Sequence, residues 1–98
     1  MTITIQIGNS DNKLTQKEWA EFVHAVSDHL EYYVEEQLAS IHFFGAPHTW
    51  AHWQNAAWVV EFDTGHLDSL KLHLSLIARK FRQDSIALTV GLTDFVKP

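Results

Sequence analysis

The 98-residue sequence contains no cysteine. Disulfides and thiolate-bound metals are therefore excluded, and the absence fits a reducing, cytoplasmic compartment. No apolar run approaches the ~18 residues that a membrane helix needs. The opening Met1-Thr2-Ile3-Thr4-Ile5-Gln6-Ile7 has neither the basic flank nor the apolar stretch of a signal peptide. Cations are scarce: seven Lys and Arg stand against twelve Asp and Glu, a net charge of −5. That balance argues against nucleic acid and anionic membrane as direct partners and leaves a basic protein partner, or solubility alone. Gly8, Gly45, Gly65 and Gly91 are isolated, so there is no glycine-rich loop to cradle a phosphate. No G-x-S-x-G turn and no H-E-x-x-H helix occurs.

Apolar residues make up 46% of the chain, and its aromatics include four Trp and six Phe. The length fits a single domain, residues 1–98, in which each large ring weighs heavily on stability. Thr2 to Ile7 alternates polar and apolar, a half-buried strand with Ile3, Ile5 and Ile7 inward. Turn formers at 8–12 end it. Thr15-Gln16-Lys17-Glu18 is a capping box, with Leu14 and Trp19 placed as a hydrophobic staple. Trp19, Phe22, Val23, Val26, Leu30, Tyr33 and Val34 then form one stripe along a helix over 15–37.

Residues 39–44 read as a strand with Ile41 and Phe43 on one face and His42 and Phe44 on the other. A loop over 45–55 follows, carrying Trp50, Trp53, His48 and His52. Residues 56–62 form the next strand, with Trp58, Val60 and Phe62 inward. After the Asp63–His66 turn, Leu67, Leu70, Leu74, Ile77, Ala78 and Phe81 mark a second helix, with Arg79, Lys80 and Arg82 opposing the negative end of its dipole. Residues 85–92 alternate again, with Ile86, Leu88, Val90 and Leu92 inward. The expected core is Ile3, Ile5, Ile7, Phe22, Val26, Leu30, Phe43, Val60, Leu70, Leu74, Ile77 and Leu88. The order β-α-β-β-α-β predicts an α+β, ferredoxin-like fold, two helices on one face of a four-stranded antiparallel sheet. The other sheet face, bearing Thr2, Thr4, Gln6, Ala87, Thr89 and Gly91, is then left to water, a ligand or a homodimer contact.

Chemistry-bearing patterns are sparse. His48 and His52 have H-x3-H spacing, but Pro47 favours a loop and no third ligand is specified, so no metal is expected. His24, Asp28 and Tyr32 lie at successive four-residue steps on an exposed helix face. Glu61 faces away from Trp58 and Phe62, where a base on the open sheet face would sit. No catalytic residue and no cofactor is expected. Two features stand out. Glu21, Asp28, Glu31, Glu35 and Glu36 crowd the first helix, where like charges at adjacent turns repel and the C-terminal end disfavours anions. Trp50 and Trp53 are costly to expose and Trp is a preferred interface anchor. These seven residues are the expected partner-binding set.

A short, acidic, cysteine-free chain with an aromatic loop resembles small bacterial immunity and inhibitor proteins, those of toxin–immunity pairs and of phage-encoded inhibitors of host nucleases. Ile7-Gly8-Asn9-Ser10-Asp11-Asn12-Lys13-Leu14-Thr15 and Trp53-Gln54-Asn55-Ala56-Ala57-Trp58 look like segments of bacterial proteins, but carry no functional residue over. The resemblance implies a non-enzymatic protein that neutralises a basic nuclease or toxin. The element order is also similar to that of small ferredoxin-like monooxygenases, which implies instead a dimeric enzyme or small-molecule binder. A structural module with no site of its own is the third reading.

Overall fold

The computed structural model describes residues 1–9, 11–46 and 54–98. The elements are β1 (Thr2–Gly8), α1 (Gln16–Glu35), β2 (Ala39–Gly45), β3 (Asn55–Phe62), a 3-10 turn (Thr64–His66), α2 (Leu67–Lys80) and β4 (Ala87–Gly91). The strands form one antiparallel sheet in the order β2-β3-β1-β4. With both helices on one face, this is the expected ferredoxin-like α+β arrangement.

The period of β1 dictates which face is covered. Ile3, Ile5 and Ile7 are buried and lie opposite Val60, Trp58 and Ala56 of β3. Phe22, Val26, Leu30 and Tyr33 of α1 and Leu70, Leu74 and Ala78 of α2 are buried on their helices, and all but Ala78 pack with that apolar row in one cluster. Phe22 fills its centre, edge-on to Trp19 and stacked 5.0 Å from Phe81.

Helix α1 starts where its sequence says it should. Thr15 Oγ accepts the Glu18 amide at 3.1 Å, and the Glu18 carboxylate accepts the Thr15 amide at 3.1 Å. Leu14 is buried before the cap. Asn9, expected only to help end β1, is itself buried and organises the entry. It donates to the Leu14 carbonyl and the Gln54 side chain and accepts the Leu14 amide.

Both helices end in Schellman motifs. The Leu38 and Gln37 amides donate to the Tyr33 and Val34 carbonyls, and the Gln83 and Arg82 amides to those of Ala78 and Arg79. The left-handed positions are held by Gln37 (φ 62°) and Arg82 (φ 57°) rather than glycine. Helix α1 accordingly stops two residues short of the expected 37.

Two parts of the expected core are corrected. A bulge in β2 places Ile41 opposite Val60 but Phe43 opposite Val59. The extra residue reverses the facing of everything after it. Phe43 therefore lies on the open face, 58% exposed, and Phe44 takes the helix side, 5.1 Å from the Trp58 ring but still 46% exposed at the sheet edge. At the other edge β4 ends at Gly91, so Leu92 projects fully into solvent and Val90 is 52% exposed. Ile77 and Leu88 are partly buried against the core.

Candidate functional site

The anionic residues of α1 form a line. Glu21, Asp28, Glu31 and Glu35 follow one another at seven, three and four residues, which at 3.6 residues per turn keeps them on one ridge. That ridge lies opposite Phe22, Val26, Leu30 and Tyr33. All four are exposed, as is Glu36 at the C-cap. The last turn of α1 holds no basic residue. Among the described residues, the carboxylates held in ion pairs are Asp11, Glu18, Glu61 and Asp63, none of them on this ridge. Glu18 is the helix's neutralised acid. Its bond from the Thr15 amide, then the Arg82 guanidinium 2.7 Å away, hold its carboxyl below the usual range. Trp50 and Trp53, with His48 and His52, lie outside the described residues.

Asp28 also borders a groove of ≈ 680 Å³ between α1 and α2. Sequence reasoning missed this place. His29 of α1 stacks on His73 of α2 with ring centroids 4.4 Å apart, and stands edge-on to Tyr33 at 5.1 Å. His73 Nδ1 donates to the Ser69 carbonyl at 2.8 Å, and the Tyr33 and Ser69 hydroxyls share a hydrogen bond of 3.0 Å. His29 Nε2 is buried, and among the described residues it has no hydrogen-bond partner. Burial, and then the nearby His73, lower the pKa of His29, so the pair disfavours a proton there. Tyr32, 55% exposed, forms the outer wall. The one signal in the sequence was the run of aromatic rings at 29, 32 and 33, wider than the core stripe needs.

On the open sheet face Glu61 accepts from the Met1 amine at 2.7 Å and from Thr2 Oγ at 2.9 Å. These contacts, the amine first, pull its carboxyl below the ordinary range. A carboxylate so held is a poor base at neutral pH. Among the described residues, no three His, Asp or Glu side chains are grouped to hold a metal ion, and no helix is long and apolar enough to cross a membrane.

No protein-family model matches the chain, and comparison with curated proteins finds no match.

Proposed function

We propose that the chain is a non-enzymatic binding protein that neutralises a basic, nucleic-acid-handling protein partner through the acidic ridge of α1. One observation carries this reading: Glu21, Asp28, Glu31 and Glu35 are aligned, exposed and outside every ion pair of the described residues. The arrangement costs the helix a few tenths of a kcal/mol at each like-charged step. Such a surface steers a cationic partner at long range and meets it with carboxylates already solvated and free. Trp50 and Trp53 complete the proposed contact as its apolar anchors.

The test is capture followed by kinetics. A photo-crosslinking residue at Asp28 should trap proteins of strongly basic character from the native cell. Glu31→Lys with Glu35→Lys should slow association with the trapped protein by about tenfold or more at low salt. Screening should narrow the gap, because the field reaches only ~8 Å at physiological ionic strength. A folded double variant that associates at the normal low-salt rate refutes the reading.

A second reading, a small-molecule binder, is favoured by the groove beside His29, whose volume lies within the range of ligand sites. It predicts unaltered ligand binding in the same double variant, since neither Glu31 nor Glu35 lines that groove.

A further inference from the structure

We infer that the free edge of β4 receives an extended segment of a partner protein as a fifth strand of the sheet, one that carries both apolar and acidic residues on the face turned to the helices. The inference concerns a different surface from the α1 ridge and does not rest on it.

The two sheet edges are unlike. At β2 the bulge between Ile41 and Phe43 breaks the regular edge. Bulges, charges and prolines are the usual means of keeping foreign strands off an edge. Strand β4 has none of them. Ala87-Leu88-Thr89-Val90-Gly91 carries no charge and no proline, and its register with β1 runs without a shift from Gln6↔Ala87 to Thr2↔Gly91. Among the described residues its outer side is unpaired. Its backbone groups on that side are therefore offered as a straight template.

Beside this edge, on the helix side of the sheet, lies a groove of ≈ 870 Å³. Its floor is apolar, formed by Leu74 of α2 with Ile86, Leu88 and the half-exposed Val90. Its rim is cationic, formed by Lys71, Arg79 and Arg82, against the single acid Asp84. Lys71 and Arg79 are in no ion pair of the described residues, and Arg82 is held by Glu18. Arg82 occupies a left-handed position that glycine would take at less cost. An added strand turns every second side chain to each face of the sheet. Of the residues it turns to the helix side, apolar ones at its centre would enter the floor, and acidic ones toward its ends would reach the rim. Main-chain bonds to β4 would supply affinity, and the groove would supply selection.

The charge pattern decides against a second copy of this chain as the occupant. Pairing β4 with β4 about a two-fold axis would set one groove against the other, bringing Lys71, Arg79 and Arg82 of both copies to the same seam. An acidic segment meets the rim with the opposite sign.

The probe is a synthetic peptide of about ten residues, N-acetylated and fluorescein-labelled, with threonine at every second position and the positions between reading glutamate, valine, valine, valine, glutamate. Its binding to the full chain is followed by anisotropy at pH 7 and low salt, and mapped by amide NMR shifts. The expected result is saturable binding, with shifts concentrated in residues 87–91 and along the groove side of α2. Lys71→Glu with Arg79→Glu should weaken it by about tenfold or more, the loss expected for two charge-assisted bonds. Methylating alternate peptide nitrogens, which leaves the protein untouched, should abolish binding in one of the two phases. A lysine-for-glutamate peptide should not bind. Binding that is indifferent to nitrogen methylation in both phases would reveal charge attraction without strand addition and overturn the inference. So would the absence of binding at millimolar peptide, or self-association of the free chain through β4.

Discussion

Replacing Phe22 by alanine tests how the helices are held to the sheet, and Phe43 supplies the matched control. Phe22 is 1% exposed, stacked on Phe81 at 5.0 Å and edge-on to Trp19 at 6.1 Å. Its removal loses the transfer energy of the ring and leaves a cavity between α1 and the end of α2. Phe-to-alanine changes in such sites cost about 3–5 kcal/mol. The two ring contacts add to the area term, which favours the upper half of that range. A domain this small has roughly 5–15 kcal/mol in all. At about 4–8 °C per kcal/mol, Phe22→Ala should lower Tm by roughly 15–40 °C. With a urea m value near the low end for small proteins, about 1–1.5 kcal/mol/M, the midpoint should fall by about 3–5 M. Phe43→Ala removes the same ring from the open face, where it is 58% exposed, and should cost less than about 1 kcal/mol. Urea titration followed by tryptophan fluorescence, with heat denaturation beside it, measures both. Equal losses would refute the bulge-reversed facing of β2, and a Phe22→Ala protein melting within a few degrees of the parent would refute the α1 packing.

The α1 cap gives a smaller effect. Thr15→Ala should lower stability by about 1 kcal/mol, more than Thr4→Ala on the open sheet face, and equal effects would show that the Thr15–Glu18 box does not hold the helix start. The His29–His73 stack makes stability depend on pH. The pKa of His29 is lowered below its usual 6.5 on folding, so the unfolded chain binds more protons between the two values. Its contribution is present above about pH 6.5 and is lost as pH falls through the lowered folded value. The pairing of Glu18, Glu61 and Asp63, whose carboxyls are lowered below 4.5, 4.5 and 3.8, is lost only in more acid solution. Melting temperature from pH 8 to 5 should therefore decline, and His29→Leu should flatten that limb. An unchanged slope in the variant would show that the stacked pair is not its source.

What was legible in the sequence was whatever a short stretch of chain decides by itself. The alternation of β1 and β3, the capping box and the α1 stripe each follow from neighbours within a few residues. The bulge did not, because no Gly or Pro interrupts Ser40-Ile41-His42-Phe43-Phe44 and either ring could take the helix side. Pairing with β3 puts Phe44 there, half-exposed at the edge. The helix ends were hidden for a related reason: Gln37 and Arg82 occupy positions where a glycine would have announced the stop. Asn9 looked like one more turn former, and its burial depends on Gln54, far along the chain. The His29–His73 stack exists only once α1 and α2 lie side by side. The carboxylates of α1 were visible as a pattern, and their exposure follows from the stripe they oppose. The aromatic half of the expected contact, Trp50 and Trp53, lies in the segment outside the described residues.

The net charge of −5 conceals a polar division of the surface. Four of the seven cations, Lys71, Arg79, Lys80 and Arg82, belong to α2 and its C-terminal turn, while α1 and its C-cap hold six of the twelve acids. Two adjacent helices of opposite charge could have been joined by ion pairs. Among the described residues only Glu18 and Arg82 are so used. The His29–His73 stack, the Tyr33–Ser69 hydrogen bond and the shared apolar cluster join them instead. Little stability is forgone, since exposed pairs contribute about 0–1 kcal/mol each. What is gained is two surfaces of opposite sign, the α1 ridge and the β4 groove, whose charges remain available to other molecules. Such a molecule also attracts its own kind head to tail, ridge to groove, in a contact that need not close on itself. The excess of acid opposes this, because every added copy brings a further net negative charge. The imbalance between the two surfaces thus favours their use by foreign partners over their use by each other.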